Sequence, residues 1–468
     1  MSVSRRKFLF KVPVALAAAP VTVAAASVVI PTVLAGAVTG SASAGTLSAP
    51  TLLNVRDYGA LGDGFTNDTT AINNAIAALT DHSALYFPPG KYLTSGLSTL
   101  SNRKYVTVFG DSAVLNQISQ ANNTWVVDRT CENITVRGLT FGGAATSRLN
   151  GVHLRFRASK SVIENCEFYG CSDFGLQIGD HTNAIPTQDV QVISCYAHNT
   201  QGDGFHVNNA DGVIFEACTA RDTGDDSFAA VGYEAYANTV KNVRFLNCVA
   251  YNAGWRGFLL QYANDCAIIG CRVNGAQGAG LEVSANASYS TIFNEDITIK
   301  NSEFFDTCAV SGPPAGVGLF FSKRLTIENC HVEDTVGTNN YAIFDVDDLT
   351  VKKCSERFTR PGYGRGIHMV DISSVNGRSP RTNWGKIQID GFDFDHQQSS
   401  NNEAIYFVPQ ASITVSAILV EGVRGFSAVT GNYLSIHSPR FTTGKIGNCT
   451  SMEGRPVYTG AFIPFNMN

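Results

Sequence analysis

Short runs of alternating apolar and polar residues recur along residues 130–360, and they fall into two kinds. Runs of the first kind end in Asn or Cys, as in VIENC, QVISC, RFLNC and TIENC. Runs of the second kind usually have Gly at their first or second position, as in FGLQIG, DGFHVN, RGFLLQ and GVGLFFS. Alternation with a period of two indicates β-strands, and no helical periodicity separates the runs.

Each repeat carries too few residues to bury its own apolar face, so successive repeats must stack on one another. A parallel β-helix meets this need with about three short strands per coil and with Phe, Ile, Val and Cys filling the interior. We therefore expect an all-β solenoid of this kind. Residues 130–360 are predicted to form regular coils and residues 361–468 irregular C-terminal coils and a cap, within one domain spanning residues 45–468.

A different pattern precedes the coils in residues 54–100, which we interpret as an N-terminal cap. Residues 67–79 predict a helix that Asp68 or Thr69 can cap. Its apolar positions share one face: Ile72, Ala75, Ile76 and Leu79. The motifs YGA-GDG, D-T-AI-AI and PPG-Y in this block resemble the N-terminus of the pectate-lyase-like superfamily of right-handed β-helices. The resemblance implies a single-stranded right-handed parallel β-helix with an N-terminal capping helix over the first coil.

We interpret the first 44 residues as an export signal rather than as part of the fold. The pair Arg5-Arg6 precedes a long uncharged stretch rich in Ala and Val, and Ala42-Ser43-Ala44 forms an A-x-A cleavage site. The pair closely resembles the twin-arginine export motif. We predict a twin-arginine signal peptide over residues 1–44 and a periplasmic or extracellular location. A transmembrane anchor is the alternative, which the weak hydrophobicity of Ala, Thr and Gly disfavours.

Twelve cysteines in an exported protein would ordinarily suggest disulfides, but their spacing does not. Seven of them recur about once per repeat in the same local context: Cys166, Cys195, Cys218, Cys248, Cys271, Cys330 and Cys354. We predict free, buried thiols stacked in a ladder. The cysteines and histidines also lack the spacing of a zinc site.

The composition limits the classes of partner. Charged residues make up 16% of the chain and the net charge is −5, whereas nucleic-acid binding usually requires a basic patch. The 44 glycines and 28 phenylalanines fit Gly-rich turns between apolar strands. We expect no nucleic-acid partner and, once the signal is removed, no stable membrane partner.

Acidic residues precede two successive Gly-linked runs in the stretch from Gln201 to Tyr233. Asp203 precedes GFHV, and Asp225-Asp226 begins 22 residues later, before SFAAV. If that spacing is one coil, the three carboxylates lie within one or two strand spacings of roughly 4.8 Å. Clustered carboxylates repel, which raises one pKa and leaves a proton available near neutral pH. Glycoside cleavage needs this arrangement, because one acid protonates the leaving oxygen while a carboxylate activates water or attacks the sugar. The alternative is that Asp residues at turns only satisfy backbone N–H groups.

This pattern resembles glycoside hydrolase family 28, the polygalacturonases, whose members carry N-T-D-G, then G-D-D about one coil later, then G-H-G and R-I-K. The chain has Gln201-Gly202-Asp203-Gly204 and Gly224-Asp225-Asp226 at the first two positions. The resemblance implies that Asp226, or Asp225, is the general acid. It also implies that its neighbour and Asp203 hold the attacking water for an inverting hydrolysis.

Two positions depart from that family pattern. Trp255-Arg256-Gly257 stands where G-H-G is expected, and Leu281-Glu282-Val283 where R-I-K is expected. Because the basic residues of those motifs grip the substrate carboxylate in polygalacturonases, their loss puts a polygalacturonate substrate in doubt. It allows a neutral or differently charged glycan.

Further candidates follow from strand alternation. Arg256 could hold substrate or lower a neighbouring pKa, and Glu282 is a reserve catalytic carboxylate. The other predicted substrate-binding residues face outward or lie at strand edges: His206, Tyr233, Trp255, Gln261 and Tyr262. The aromatic members of this set could stack on sugar rings.

Three functions therefore stay open. The first is cofactor-free hydrolysis of a polysaccharide or oligosaccharide. The second is a polysaccharide lyase or uronate epimerase on the same fold, in which Arg256, His206 or Tyr233 acts on the C5 proton and Asp225-Asp226 could bind Ca²⁺. The third is a non-catalytic carbohydrate-binding surface protein, since a fold does not determine function.

Overall fold

The computed structural model describes most of residues 51–449. The described ranges are 51–182, 184–233, 239–285, 293–309, 315–336, 339–359, 365–369, 383–396, 404–407, 414–425, 434–436, 441–447 and 449. All of them belong to one compact unit, residues 50–468. The predicted signal peptide lies outside the described residues. Within those residues, no helix is long and apolar enough to cross a membrane.

Three parallel sheets run along the coils, and the all-β parallel β-helix predicted from the repeats, right-handed as the resemblance implied, is confirmed. The first sheet contains β6 Trp125–Val127, β8 Leu154–Phe156, β11 Leu176–Ile178, β14 Phe205–Val207, β17 Phe228–Val231, β21 Phe258–Gln261, β25 Leu281–Ser284, β31 Ile367–Met369, β33 Ile405–Phe407 and β35 Leu434–Ile436. They include most of the runs that usually begin with Gly in the sequence.

The other two sheets are built from the remaining strands of each coil. The second contains β1 Thr51–Asn54, β3 Ser83–Phe87, β9 Ser161–Glu164, β12 Thr187–Ile193, β15 Ala210–Glu216, β18 Val240–Lys241, β19 Arg244–Leu246, β22 Ala263–Asn264, β23 Ala267–Ile269, β26 Asn294–Lys300 and β36 Phe441–Gly447. The third contains β2 Asp63–Asn67, β4 Gly90–Thr94, β10 Glu167–Tyr169, β13 Tyr196–His198, β16 Thr219–Arg221, β20 Val249–Ala253, β24 Arg272–Ala276, β27 Glu303–Phe305 and β29 His331–Glu333. Longer strands pass through a corner into a second sheet: β5 Thr107–Gln117, β7 Thr135–Gly142, β28 Ala315–Glu328, β30 Asn339–Phe358, β32 Asn383–His396 and β34 Thr414–Gly425.

Aromatic rings stack through the interior on successive coils. Phe205, Phe228 and Phe258 occupy the same register position in β14, β17 and β21. Their ring centroids lie 5.1 and 4.9 Å apart, and all three side chains are fully buried. In-register stacking of this kind lets each short coil bury its apolar face against the next.

The cysteine ladder occupies the corner between the second and third sheets. Eleven cysteines are buried free thiols, including all seven of the ladder, which confirms the prediction of unpaired, buried cysteines there. The residue before each ladder position turns the chain in the left-handed region, as Asn165, Asn247 and Asn329 do at φ of 52° or 53°. Asn tolerates this conformation better than most residues, which explains the recurring Asn-Cys phrase. Ser302 takes the ladder position between Cys271 and Cys330 and accepts a hydrogen bond from the Cys271 N–H at 3.1 Å.

The N-terminal cap begins with a 3₁₀ helix, Val55–Tyr58, and continues with α1, Thr69–Ala78. The predicted helix is confirmed, and its apolar face joins the core that the coils share. Asp68 holds the N-cap position, but its side chain does not cap the helix. Its carboxylate instead accepts hydrogen bonds from the N–H groups of Leu61 and Gly62, at 2.7 and 3.1 Å.

Truncation of one ring in the interior stack tests this packing. We expect Phe228→Ala to lower the free energy of unfolding by about 3–5 kcal/mol, because it leaves a cavity between two rings. Chemical denaturation of the variant and the parent protein measures the loss. Phe65→Ala is the matched control, since that ring is 89% exposed, and it should change stability by about 0.5 kcal/mol or less. Equal losses for the two variants would contradict the stacked interior.

Candidate active site

A column of charged residues stands just before the strands of the first sheet on three successive coils. Phe205 pairs with Phe228 and Phe228 with Phe258, so Asp203, Asp226 and Arg256 occupy equivalent positions two residues earlier. The sequence spacing aligned Asp203 with Asp225, and that alignment is wrong by one residue. Asp225 lies in the turn, where its N–H donates to the Gly202 carbonyl at 3.2 Å.

Glycines in these turns allow the coils to approach closely enough for the acids to meet. A Cβ on Gly224 would lie 2.3 Å from the Gln201 carbonyl oxygen, and one on Gly254 would lie 2.5 Å from the Gly224 carbonyl carbon. No side chain fits in that space without moving the backbone. The Gly-Asp and Gly-Asp-Asp motifs therefore combine close backbone contact with projecting carboxylates.

One carboxylate oxygen from each of Asp203, Asp225 and Asp226 lies within 4.8 Å of the other two. A triangle with sides of at most 4.8 Å fits within a circle of about 2.8 Å radius, which is a hydrogen-bond length. A single water molecule can therefore contact all three oxygens. The convergence predicted from the sequence repeat is present in the fold.

Asp203 is held by His206 and by the next coil. Its Oδ2 lies 2.6 Å from His206 Nδ1, and its Oδ1 accepts a hydrogen bond from the Asp226 N–H at 3.1 Å. Burial, with the added repulsion of Asp225, raises the pKa of Asp203 well above its usual range. Burial likewise lowers the pKa of His206 to about 4. His206 also stacks on Phe174 with ring centroids 4.3 Å apart, and its Nε2 is buried without a hydrogen-bond partner.

Asp226 forms the second buried acid, and an arginine on the next coil contacts it. The Arg256 N–H donates to Asp226 Oδ1 at 3.0 Å, and the guanidinium lies 3.4 Å from the same oxygen. Burial and the repulsion of Asp203 raise the pKa of Asp226 well above its usual range, although Arg256 partly opposes this. Asp226 is therefore suited to keep a proton near neutral pH.

Glu282 binds the other side of the Arg256 guanidinium through two contacts, at 2.8 and 3.2 Å. Burial would lower the pKa of Arg256, but the two carboxylates outweigh it and raise that pKa. Arg256 is therefore a fixed cation and a poor base. Glu282, predicted as a reserve catalytic carboxylate, is buried and engaged in this ion pair.

Asp225 is the most accessible member of the cluster: it is half-buried, with one third of its side chain accessible. Arg148 Nη1 donates to Asp225 Oδ2 at 2.6 Å, and Arg148 Nε donates to Asp173 Oδ1 at 3.0 Å. The guanidinium places a positive charge beside Asp225, whereas the two buried acids next to it, Asp203 and Asp226, have raised pKa values. Environments that differ in this way assign separate acid and base roles to neighbouring carboxylates.

The sequence analysis missed Arg148, Asp173 and Phe174. Asp173 precedes the run FGLQIG as Asp225-Asp226 precedes SFAAV, so the same reasoning applied one coil earlier would have found it. Arg148 lies 77 residues from Asp225 in the chain, and no local motif marks it.

The remaining predicted substrate-binding residues divide into surface and core positions. Trp255 is half-buried, with the Arg256 guanidinium 5.8 Å from its ring centroid. Gln261 is half-buried on the outward side of β21, and Tyr233 is half-buried with its ring 5.1 Å from that of His181. Tyr262 is a correction: it is 1% exposed within the core and cannot stack on a sugar. Its φ of 51° turns the chain there and ends the simple alternation that placed it outside.

The three carboxylates also raise the question of a bound Ca²⁺, which takes six to eight oxygen ligands. Asp203 and Asp226 already accept hydrogen bonds from a backbone N–H each, and Asp203 also contacts His206. Two guanidinium groups, from Arg148 and Arg256, lie against the cluster. These contacts fit a water molecule between the acids better than a resident divalent cation.

Comparison with known proteins agrees with this architecture. A family model described as rhamnogalacturonase A/epimerase, pectate lyase-like, matches residues 52–282. A second, described as a right-handed β-helix region, matches residues 235–379. The pectate-lyase-like resemblance noted in the N-terminal block is thereby confirmed.

Curated relatives and a solved structure share parts of the chain. Mannuronan C5-epimerase AlgE3 of Azotobacter vinelandii is 28% identical over 54% of this chain, and exopolygalacturonase clone GBGE184 of Arabidopsis thaliana is 26% identical over 48%. The chain spans 13% of the epimerase and 56% of the exopolygalacturonase. The A-module of mannuronan C-5 epimerase AlgE6 of Azotobacter vinelandii superposes with a TM-score of 0.58 at 19% identity, covering 83% of this chain and 98% of that module. That superposition supports the fold alone.

The raised pKa of Asp203 predicts how stability depends on pH. A carboxyl whose pKa is higher in the folded than in the unfolded state loses stabilising free energy as pH rises above its unfolded value of about 3.9. The loss has a limit of about 1.4 kcal/mol per pH unit until the folded pKa is passed. We therefore expect Asp203→Asn to raise the melting temperature relative to the parent at pH 8 and to leave it little changed at pH 4.

Thermal unfolding of both proteins across that pH range measures the effect. Asp222→Asn, at an exposed position, is the control and should show no such divergence. A constant difference between Asp203→Asn and the parent at every pH would contradict a raised pKa at Asp203.

Proposed function

We propose that this pectate-lyase-like right-handed β-helix protein is an exported, polysaccharide-degrading glycoside hydrolase. The observation that carries the proposal is the convergence of carboxylate oxygens of Asp203, Asp225 and Asp226 within 4.8 Å, with two of the acids buried and Asp225 half-buried. The exopolygalacturonase relative supports a carbohydrate substrate, and the predicted twin-arginine signal supports export.

In the proposed step, Asp226 is the general acid. Its raised pKa keeps a proton that it donates to the glycosidic oxygen as the bond from that oxygen to the anomeric carbon breaks. Asp225, in the carboxylate form, accepts a proton from the water that attacks the anomeric carbon. Asp203 contacts the same water, and the Asp203–His206 pair holds that carboxyl in place.

The stereochemical outcome follows from which oxygen attacks. Attack by a water held at the acid cluster gives inversion, and we propose this route because one water can contact all three acids. Direct attack by Asp225 would give retention through a covalent intermediate. The closest oxygens of the three acids lie within 4.8 Å of one another, which is nearer to the carboxyl separation of about 5–5.5 Å in retaining enzymes than to that of about 6.5–9.5 Å in inverting enzymes. The anomer of the product, observed by NMR as it forms, decides between the two routes.

A polysaccharide lyase or uronate epimerase is the second candidate, and His206 is the residue that favours it. Its Nε2 has no hydrogen-bond partner among the described residues, and its lowered pKa keeps the ring neutral at pH 7. A neutral imidazole can remove the C5 proton of a uronate when the ring proton lies on Nδ1. Arg256, predicted as an alternative base, is held as a cation by Asp226 and Glu282.

Substitution of the proposed acid tests hydrolysis. Asp226→Asn keeps the shape of the side chain but removes the proton, so we expect kcat on a cleaved glycan to fall by about 10²–10⁴-fold. Reducing-end assays over a glycan panel measure the rate, and Asp222→Asn is the control at an exposed position on the same coil. Full activity of Asp226→Asn would sink the proposed mechanism.

Products and one further variant separate the two candidate reactions. A hydrolase releases saturated ends, a lyase releases unsaturated ends that absorb in the near ultraviolet, and an epimerase changes the sugar without cleavage. We expect His206→Gln to lower hydrolysis by about tenfold through the misplacement of Asp203, a loss of about 1.4 kcal/mol. Unsaturated or epimerised products that disappear in His206→Gln would establish the second candidate instead. Glycan binding without any product would indicate a non-catalytic surface protein.

A further inference from the structure

The outward column of the first sheet continues from His206 toward the N-terminal end of the coils. His206 pairs with Gln177, and Gln177 pairs with Arg155, on three neighbouring strands. Neighbouring strands lie about 4.8 Å apart, which is close to the length of one sugar unit in a polysaccharide. A glycan laid along this column would therefore place successive sugar units over successive strands.

Each of these three residues carries a buried polar atom without a hydrogen bond. The atoms are His206 Nε2, Gln177 Oε1 and Arg155 Nε. Gln177 is 4% exposed and His206 5% exposed, so water reaches neither side chain freely. A buried polar group without a partner costs roughly 1–3 kcal/mol. Three such atoms in one column indicate a surface that a polar ligand completes.

Arg155 also differs from the arginines around it. Four other arginines on these coils each form an ion pair with an aspartate: Arg129, Arg148, Arg157 and Arg256. Among the described residues, the Arg155 side chain forms no ion pair and its buried Nε forms no hydrogen bond. Burial, with the positive charge of Arg157 nearby, lowers the pKa of Arg155, which indicates a cation that lacks a full counter-charge.

The acids nearest Arg155 are already engaged by other groups. Asp180 contacts Arg129 at 3.3 Å and Arg157 at 3.2 Å, and Asp173 contacts Arg148 at 3.0 Å. The two carboxylates act on Arg155 only at longer range. The N–H groups of the Arg155 guanidinium are therefore available to bind an anion from outside the chain.

We propose that Arg155 and Gln177 form a binding subsite for a negatively charged sugar unit. The guanidinium binds the carboxylate or sulfate group of that unit, and Gln177 hydrogen-bonds the sugar between it and the bond that is cleaved. The subsite deepens the proposed function and rests on it, because it takes the carboxylate cluster as the point of cleavage. It lies on the opposite side of that cluster from Leu281-Glu282-Val283, where the sequence lacks the expected basic residues.

Matched pairs of oligosaccharides test the subsite by calorimetry on the full chain carrying Asp226→Asn, so that substrate is not consumed. One pair is oligogalacturonate and its methyl ester, and the other is a sulfated oligosaccharide and its desulfated form. We expect the charged member of one pair to bind more tightly than its neutral partner. Arg155→Gln should weaken that charged member by about 10–100-fold and leave the neutral one unchanged. The pair that responds identifies the anion as carboxylate or sulfate.

A control variant and a measurement of folding distinguish loss of the subsite from loss of the fold. Arg221→Gln is the control, since its side chain is 55% exposed on the third sheet, and it should leave binding unchanged. The unfolding midpoint of each variant shows that it is folded. Equal affinity of Arg155→Gln and the parent for both charged ligands, or no binding of either, overturns the subsite. Binding that depends on Arg155 in a protein without hydrolytic products would instead overturn the proposed reaction.

Discussion

The hydrogen-bonded register between successive coils is the constraint on which the whole structure depends. Parallel strands about 4.8 Å apart place the same position of each coil directly above the last. Side chains therefore form columns: phenylalanines in the interior, cysteines at one corner, and charged residues before the strands of the first sheet. Apolar columns gain from this stacking, because each ring or thiol packs against a like neighbour. A column of acids does not gain, since stacked carboxylates repel unless a cation stands between or beside them.

Arginines offset the repulsion between the stacked carboxylates only in part. Arg256 lies between Asp226 and Glu282, and Arg148 bridges Asp225 and Asp173. Among the described residues, Asp203 forms no ion pair with an arginine, and its side chain contacts His206 Nδ1 and the Asp226 N–H. The site thus retains an excess of buried negative potential that protonation relieves. Such a buried acid cluster lowers the stability of the fold, as strained or poorly compensated groups at functional sites commonly do.

The repeated phrases predicted the fold well because they are local and recur many times. Gly before a strand and Asn before Cys each reflect a backbone requirement at every coil, so one misread repeat matters little. The exact register was less accessible, because coil length varies: Asp226 and Arg256 hold equivalent positions 23 and 53 residues after Asp203. A residue with positive φ at a corner also breaks the alternation of inward and outward side chains, as Tyr262 does with its φ of 51°. Contacts between distant segments, such as Arg148 with Asp225, leave no trace in a local pattern.

The glycine-lined turns have a consequence for how such a chain can change in evolution. Gly224 and Gly254 bring the backbones of three coils into contact, and this contact requires only the adjacent coils. Duplication of a coil further toward the N-terminus would leave these turns and their acids untouched. It would lengthen the outward surface of the first sheet by one strand spacing. The length of that surface can therefore vary by gene duplication, independently of the acid cluster.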